Sequence, residues 1–421
     1  MTVTISQFGG QAEPQQSRRE AVSSSSFSAG KWLVIASIMF NPFLCFLDTK
    51  GILHASNGII VISELFIIFA ATWIVRKNIT SIAVILSILI SGYVIAAHLI
   101  NQAVTLKILH DLWIPYVFYL LGSMTSIKTA RETLWISISL VLFFAFFELL
   151  AFDLYGHFFN IWQYYVDKGA VGSDVINYRQ TTSFVSGARG TDARTYFPSL
   201  LGPVRISSVF LEPVSMGNFA TIVFAWGLIT WENRRNEHSI LLMALGFLCI
   251  ILTDSRFATG CCVLLVLVRL LPLARSSFFV FILPILIMVT LTVVGSGYEI
   301  SGTKPGILSD DFKGRLLFSG RLLDDWSLVH WFGFADSPVY TADTGYAYLF
   351  NNLGLPLSIV LFAVIAFHRT GNSEAMIMKS MMAVYFGTSL CIGANAVTIK
   401  TGALCWFLYG AIDKIRLFFK K

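Results

Sequence analysis

The sequence predicts an all-α, polytopic integral membrane protein, and three observations support this class. Hydrophobic residues make up 56% of the 421 residues, charged residues make up only 13%, and the mean hydropathy is +0.72. Soluble domains contain about one quarter charged residues, so a soluble fold of this size is excluded. About twelve apolar windows of roughly 20 residues, the length of a membrane-spanning helix, follow one another along the chain.

The first 30 residues differ from the rest, because they are polar and rich in serine. Arg18 and Arg19 precede the first apolar run. No short apolar region with a cleavage site follows, so we predict a disordered cytoplasmic tail (1–30) that leads into a signal-anchor helix. Residues 31–421 then form a single transmembrane domain.

The cysteines lie inside or at the ends of apolar runs. We therefore expect neither disulfides nor a zinc site, since the adjacent pair Cys261 and Cys262 lacks the spacing of metal ligands. The polar loops also contain no His/Asp metal cluster and no glycine-rich phosphate loop. We expect no metal and no cofactor. The six cysteines are Cys45, Cys249, Cys261, Cys262, Cys391 and Cys405.

Lysine and arginine determine the predicted topology, because short cytoplasmic loops carry an excess of both. With the N-terminus inside, short loops on the opposite face carry only Lys50, Lys107 and Lys400. Both termini are then cytoplasmic. The cytoplasmic loops carry Arg76, Lys77, Lys128, Arg131, Arg234, Arg235, Arg269, Arg275, Arg369, Lys379, Lys414, Arg416, Lys420 and Lys421.

Two long polar stretches, about 154–210 and 296–345, face outward in this topology. Long loops translocate with little regard to charge, which accounts for any single basic residue in them. For the set as a whole we favour an anion-binding surface, because charges near lipid are costly. The basic residues are Lys168, Arg179, Arg189, Arg194, Arg205, Lys304, Lys313, Arg315 and Arg321.

A first candidate segment runs from Arg205 to Pro213, where a predicted span begins. Pro213 suits the first turn of a helix, and Glu212 complements the positive end of the helix dipole. That structural role is an alternative to a catalytic one for Glu212. The planar guanidinium of Arg205 is suited to binding phosphate bidentately.

A second segment, Leu252-Thr-Asp-Ser-Arg256, lies at the predicted outer end of a span. Asp and Ser are expected in a tight turn, whereas a turn does not require Arg256. Arg256 either extends to the membrane interface with its aliphatic stem buried or contacts a ligand.

A third segment contains Arg321, Trp326, Trp331, Asp343 and Tyr346. Tryptophans among charges indicate either an interfacial aromatic belt or surfaces on which sugar rings stack. Asp343 precedes a predicted span, where a carboxylate acts either as a general base or as a helix N-cap.

The order of these segments resembles the O-antigen polymerase and ligase superfamily, which includes the Wzy-type polymerases. The shared pattern is Arg-x-x-(S/G)-x-F-x-(E/N)-P before a span, then Leu-Thr-x-Ser-Arg, then Gly-Arg…Phe-Gly…Asp/His-x-x-Tyr. It covers most of residues 130–370. The resemblance implies a GT-C-like fold with two large periplasmic loops in the bacterial inner (cytoplasmic) membrane.

The resemblance also implies an activity. Family members transfer a glycan from an undecaprenyl-diphosphate carrier, without metal or nucleotide. Arg205, Arg256 and Arg321 resemble the arginines that bind the lipid diphosphate. Asp343 or Glu212 would be catalytic, with His330 an alternative base. The implied partners are the lipid-linked glycan, membrane lipid, a chain-length regulator and a flippase, and no nucleic acid. Candidate glycan-binding residues are Arg179, Arg194, Trp326, Trp331 and Tyr346.

Three functions stay open at this stage. Polymerisation of lipid-linked repeat units for O-antigen or exopolysaccharide is favoured, because Asp343 stands where ligases have a histidine. A ligase is the second, and a multi-span transporter or flippase of lipid-linked sugars is the third. A transporter would use ionisable residues within spans. We interpret these residues, Glu64, His98, Asp111 and Glu148, as polar packing between helices.

Overall fold

The computed structural model describes residues 14–101, 107–170, 201–202, 204–234, 237–296, 312–337 and 344–413. Side chains are described for these residues except 14–28, 232–234 and 312. Helices make up the regular structure. They are α1 (Pro14–Thr49), α2 (Asn57–Val75), α3 (Ser81–Asn101), α4 (Lys107–Ser123), α5 (Ile127–Leu150), α6 (Phe152–Phe158), α7 (Ile161–Asp167), α8 (Pro213–Arg234), α9 (Glu237–Thr253), α10 (Arg256–Leu270), α11 (Ser277–Ser296), α12 (Phe312–Asp324), α13 (Leu328–Trp331), α14 (Gly345–Phe367), α15 (Ser373–Ser389) and α16 (Ile399–Asp413).

Seven of the described helices are long and apolar enough to cross a bilayer, which confirms the prediction of an all-helical, multi-pass membrane protein. They are α1, α2, α3, α5, α8, α11 and α14. Helices also stand at the other five predicted spans (α4, α9, α10, α15 and α16), and each contains 15 to 17 described residues. The total of about twelve spans therefore stays a prediction.

The N-terminal helix begins earlier than the sequence predicts. α1 starts at Pro14, inside the segment 1–30 for which we expect a disordered tail. Arg18, Arg19, Glu20 and Ala21 have favourable helix propensities, so the helix of the first span extends upstream through them. Residues 1–13 lie outside the described part of the chain.

Large apolar side chains on several helices are exposed on the outside of the helical bundle. Examples are Phe66 on α2, Leu89 on α3, and Phe278 and Val293 on α11, which are 73%, 63%, 64% and 66% exposed. Such surfaces are expected where side chains face lipid hydrocarbon instead of water.

α16 lies at the centre of the bundle, and all of its residues are buried. A Cβ atom at Gly122 of α4 would collide with the carbonyl of Phe407, and one at Gly410 would collide with the carbonyl of Tyr119. These glycines let α4 and α16 pack with their backbones in contact. These contacts hold the C-terminal parts of α4 and α16 together.

A second close helix pair, α8 and α9, also packs through glycine. A Cβ atom at Gly246 would lie 3.0 Å from the carbonyl oxygen of Ala220. A Cβ atom at Gly227 would lie 2.9 Å from the carbonyl oxygen of Ser239. This contact fixes the start of α8, which follows Glu212, relative to the end of α9 at Thr253.

Candidate functional site

The segment from Arg205 to Pro213 is held in place by a buried carboxylate. Glu148 of α5 accepts hydrogen bonds from the backbone N–H groups of Ser207 and Ser208, at 2.9 and 2.6 Å, and from the hydroxyl of Ser207 at 3.0 Å. The Ser208 hydroxyl donates to the carbonyl of Val141 at 2.6 Å, and Tyr155 donates to the carbonyl of Ser208 at 2.9 Å. These five hydrogen bonds define the path of the segment.

Unusual backbone conformations concentrate in the same region. Among the described residues other than glycine, positive φ angles occur at Ser208 (53°), Leu211 (59°) and Asp254 (53°). A non-glycine residue in this conformation is strained by about 1–3 kcal/mol, and such strain is typical of functional sites. The first two residues precede the start of α8, and the third lies in the turn between α9 and α10.

Thr253 joins the first and second sequence segments. Its hydroxyl donates to the carbonyl of Pro213 at 2.6 Å, and its own carbonyl accepts from Nε of Arg205 at 2.9 Å. Three residues later, Arg256 begins α10 with an exposed side chain. The structure thus attaches Arg205 to the turn that leads into Arg256, which is 51 positions later in the sequence.

Glu212 lies one residue before α8, and its carboxylate oxygens have separate hydrogen-bond donors. Tyr165 of α7 donates to Oε1 at 2.6 Å, and Ser215 donates to Oε2 at 2.8 Å. Nζ of Lys400 lies 4.0 Å from Oε1. Burial raises the pKa of Glu212, but Lys400, Lys168 and the two hydroxyl donors outweigh it and lower the pKa to about 2. Glu212 is therefore a carboxylate at neutral pH and a weak base.

Lys168 and Lys400 act electrostatically on Glu212, and Lys107 acts on Lys168; we call these three residues the lysine group. Lys168 interacts electrostatically with both other members and with Glu212 and Glu64. Its ammonium lies 5.0 Å from the ring centroid of Tyr165, and that of Lys107 lies 5.7 Å from the ring centroid of Tyr348. Burial, followed by the charge of Lys400, lowers the pKa of Lys168 to about 8.

Four polar side chains on three helices form a connected chain next to Lys107, whose ammonium faces the ring of Tyr348. Tyr348 of α14 donates to Oδ2 of Asp111 at 2.9 Å, and Oδ1 of Asp111 lies 2.8 Å from Nδ1 of His110. Nε2 of His110 lies 3.4 Å from Glu64 of α2. Glu64 and Asp111, which the sequence analysis treats as separate polar contacts, therefore belong to one network.

Arg321 is engaged by residues of its own helix. Its guanidinium lies 3.4 Å from Asp324 and 2.9 Å from Asp325, and it donates to the carbonyl of Ser296 at 3.2 Å. Gly295 of α11 and Gly320 of α12 pack backbone to backbone, which places Arg321 at the end of α11. A phosphate would compete with both carboxylates for this guanidinium.

The aromatic candidates form one packed chain. The ring of Trp326 lies 5.8 Å from that of Trp331, Trp331 lies 5.7 Å from Phe350, and Phe350 lies 5.9 Å from Tyr346. Trp326 and Tyr346 are buried, and the Tyr346 hydroxyl donates to the carbonyls of Pro284 and Gly387. In this conformation Trp331, which is half-buried, has the more accessible ring.

The remaining candidates are placed as follows. Asp343, Arg179 and Arg194 lie outside the described residues. Nδ1 of His330, the alternative base, lies 2.9 Å from the hydroxyl of Ser327. The His330 ring stacks on Trp326, with ring centroids 6.1 Å apart.

A group of potential metal ligands also forms that the sequence analysis does not anticipate. Single ligand atoms of Asp48, His54 and Asp167 lie within 4.8 Å of one another. Asp48 also accepts a hydrogen bond from the backbone of Ala55 at 2.8 Å, and Asp167 accepts one from Gln163 at 2.7 Å. The first bond joins α1 to the loop after it, and His54 of that loop lies 3.5 Å from Asp167 of α7, so a structural role accounts for the group.

Comparison with protein-family models, with curated proteins and with solved structures finds no match to this chain. Function must therefore be inferred from the chain's own residues. The lysine group is the main feature that sequence analysis misses. The available signal was that Lys107 and Lys400 are basic residues in short loops of the predicted outer face.

Proposed function

We propose that this protein transfers glycan from an undecaprenyl-diphosphate carrier, polymerising lipid-linked repeat units at the periplasmic face of a bacterial inner membrane. The proposal includes about twelve spans, two periplasmic loops and cytoplasmic termini. The observation that carries it is that Arg205 binds the strained turn immediately before Arg256, and that the same turn contacts Pro213, next to Glu212. The guanidinium group of arginine binds phosphate oxygens through two parallel hydrogen bonds, and a membrane surface supplies lipids with diphosphate headgroups.

The transfer reaction requires the protein to position its two substrates and to stabilise the negative charge of the leaving group. The acceptor hydroxyl forms a bond to the anomeric carbon while the bond from that carbon to the carrier diphosphate breaks. The hydroxyl proton passes to a base, and the diphosphate leaves with the bonding electrons. Arg205 and Arg256 would stabilise the negative charge that develops on the leaving group, which is often the largest contribution to catalysis.

The assignment of the base follows from the environment of Glu212. A general base works best when its pKa is close to the working pH. The pKa of Glu212 is about 2, so this carboxylate suits the role of holding Tyr165 and the lysines in position. Asp343 is our proposed base, and its Asp343→Asn variant should stop transfer while the protein still inserts.

The test is the glycan pattern of the native host after deletion of the chromosomal gene and complementation with variants. Arg205→Ala and Arg256→Ala should each abolish long polymer, and single lipid-linked repeats should accumulate. The matched control is Arg76→Ala, because this exposed arginine at the predicted inner face contacts Trp73 and should be dispensable. Long polymer in both arginine variants would refute the proposal, and accumulation of long carrier-bound chains would indicate a ligase instead.

A further inference from the structure

Three ionisable side chains lie in line between α2 and α4. Nδ1 of His110 lies 2.8 Å from Oδ1 of Asp111, and Nε2 of the same ring lies 3.4 Å from Oε2 of Glu64. The side chains of His110, Glu64 and Asp111 are only 9%, 14% and 3% exposed. Each ring nitrogen therefore faces a carboxylate in a largely buried place. We call these three residues the histidine array.

The contact between His110 and Asp111 contains one proton. Its distance is that of a hydrogen bond, and a hydrogen bond requires a proton between the two atoms. The other oxygen of Asp111 accepts from the hydroxyl of Tyr348 at 2.9 Å. A neutral imidazole carries a single N–H group, so the proton of a neutral histidine is enough for this contact alone.

The contact between His110 and Glu64 requires a second proton. Nε2 of His110 is buried and has no hydrogen-bond partner among the described residues. A lone pair on this nitrogen would face the carboxylate of Glu64, so two hydrogen-bond acceptors would meet where unsatisfied polar groups are costly. A proton on either atom makes the contact attractive. The array thus needs one proton more than a neutral histidine and two carboxylates provide.

The charged groups around the array indicate where this proton resides. Lys107 and Lys400 act electrostatically on Glu64, and positive neighbours favour a carboxylate. Two carboxylates beside one imidazole favour the imidazolium form of the ring by the same rule. We therefore expect the additional proton on His110. The other titratable groups that interact with members of the array are Tyr164, Lys168 and Tyr348.

We propose that the histidine array is a proton-binding site, which holds one additional proton at neutral pH and releases it as the pH rises. The proton leaves Nε2 of His110 for hydroxide, which becomes water, and the net charge of the array becomes more negative by one. Glu64 is the most exposed member of the array, so water reaches the proton beside it. The site does not depend on the proposed function.

Release of the proton has a consequence at Lys400. This lysine acts electrostatically on both Glu64 and Glu212, and its Nζ lies 4.0 Å from Oε1 of Glu212. A more negative array attracts Lys400 toward Glu64 and weakens its interaction with Glu212, one residue before α8. The proton site thus connects α2 and α4 to the start of α8, and it makes the surroundings of Glu212 sensitive to pH.

The experiment observes the proton in the purified full-length protein in lipid nanodiscs. Histidine is labelled with ¹⁵N, because the ¹⁵N chemical shift in NMR distinguishes a protonated ring nitrogen from one with a lone pair. The chain contains seven histidines, so the spectrum of His110→Asn identifies the signals of His110. Both ring nitrogens should be protonated at pH 7, and one should lose its proton by pH 10. Infrared absorption of a neutral carboxylic acid, identified by its loss in Glu64→Gln, would report the same proton on Glu64.

Two carboxylate-to-amide variants make the test specific. Glu64→Gln keeps the shape of the side chain and offers an amide N–H to Nε2 of His110, so the additional proton becomes unnecessary and the ring should be neutral at pH 7. Glu132→Gln is the control, because Glu132 is exposed and lies 3.9 Å from Lys31. It should leave the signals of His110 unchanged. The titration of the wild-type protein stays interpretable if Glu64→Gln folds poorly.

The outcomes decide the proposal as follows. An imidazolium at His110, or a neutral acid at Glu64, that is lost between pH 7 and pH 10 supports the proton site. A neutral ring together with an ionised Glu64 at pH 7 overturns it. A proton that stays through pH 10 overturns the release, and an imidazolium that persists in Glu64→Gln overturns the role of Glu64. The glycan pattern of the arginine variants tests the proposed function separately.

Discussion

The carboxylate of Glu148 accepts the backbone N–H of Ser208 at 2.6 Å, although the two residues are 60 positions apart. Ser208 has a φ of 53°, so the hydrogen bond holds a strained residue. A second bond, from the backbone of Ser207 at 2.9 Å, fixes the preceding peptide. Arg205 and Glu212 lie on either side of this point.

Glu148→Gln is therefore expected to disturb the site from within the membrane domain. The amide nitrogen that replaces one oxygen donates instead of accepting, so either a backbone N–H loses its acceptor, at about 1–3 kcal/mol, or the Ser207 hydroxyl must accept where it now donates. We expect a lower thermal unfolding temperature in detergent and shorter glycan in cells. Glu132→Gln on the same helix is the control, because Glu132 is exposed and lies 3.9 Å from Lys31, a pair worth less than about 1 kcal/mol. Equal stability of both variants would contradict the role of Glu148.

Gly217→Ala should push apart the segment from Arg205 to Pro213 and the segment from Leu252 to Arg256. A Cβ atom there would lie 2.7 Å from Oγ and 2.9 Å from Cβ of Ser255, the N-cap residue of α10. Overpacking of this kind costs about 1–3 kcal/mol, and it would displace Arg256 relative to α8. Thermal unfolding and glycan length measure both effects. Gly260→Ala has no atom within 4 Å, so it should be neutral or stabilise by up to about 1 kcal/mol.

The stability contribution of Lys168 should depend on pH. Its pKa is about 8 in the folded protein, against 10.5 ordinarily. Between these values the unfolded chain binds more protons than the folded one, so stability rises with pH across this window. At pH 7 the folded protein carries the full cost of a charged Lys168. Lys400, Glu212, Glu64 and Lys107 all act on this ammonium.

Lys168→Met is thus expected to unfold at a higher temperature than the wild-type protein at pH 7. The difference should shrink as the pH rises from about 8 to 10.5, because the wild-type lysine then loses its proton. A stability difference that is equal at pH 7 and pH 10 would contradict this account.

Arg321 can be tested through its two carboxylate partners. Asp324→Asn with Asp325→Asn releases the guanidinium from pairs that contribute about 0.3–0.5 kcal/mol each. If Arg321 binds a diphosphate, the double variant should bind farnesyl diphosphate more tightly, and Arg321→Ala should bind it more weakly. Unchanged affinity in both variants would leave Arg321 a structural residue that links α12 to the end of α11.

The predicted orientation can be tested by thiol labelling of intact cells, because all six native cysteines are buried. Gln163→Cys on α7 is exposed and lies at the predicted outer face, so a membrane-impermeant maleimide should label it. Lys128→Cys is exposed at the predicted inner face and should react after lysis alone. The reverse pattern would place the arginines and the lysine group in the cytoplasm.

Sequence patterns predict the helices well, because a membrane span is a local property of about 20 residues. Every predicted span has a helix at its position. The predicted span around Asp111 contains polar residues, and the structure explains two of them: His110 and Asp111 are the fourth and fifth residues of α4, and they contact Glu64 and Tyr348.

The assembly of the site depends on long-range packing that no local pattern contains. Arg205 and Arg256 were predicted separately, and Thr253 is the residue that joins them. Glu148 was interpreted as polar packing between helices, whereas its partners are backbone groups of Ser207 and Ser208. Glycines let α4 and α16 pack closely near their C-terminal ends, and such a contact is visible only in three dimensions.

The length of α10 has a consequence for the surrounding bilayer. Its 15 residues extend for about 22 Å at 1.5 Å per residue, whereas the hydrocarbon core is about 30 Å thick. If α10 is the span that the sequence predicts, its apolar length is shorter than the hydrocarbon core, and we expect the bilayer to thin locally around it. Arg256 would then lie deeper than the ends of longer neighbouring helices, and water and lipid headgroups would reach it there.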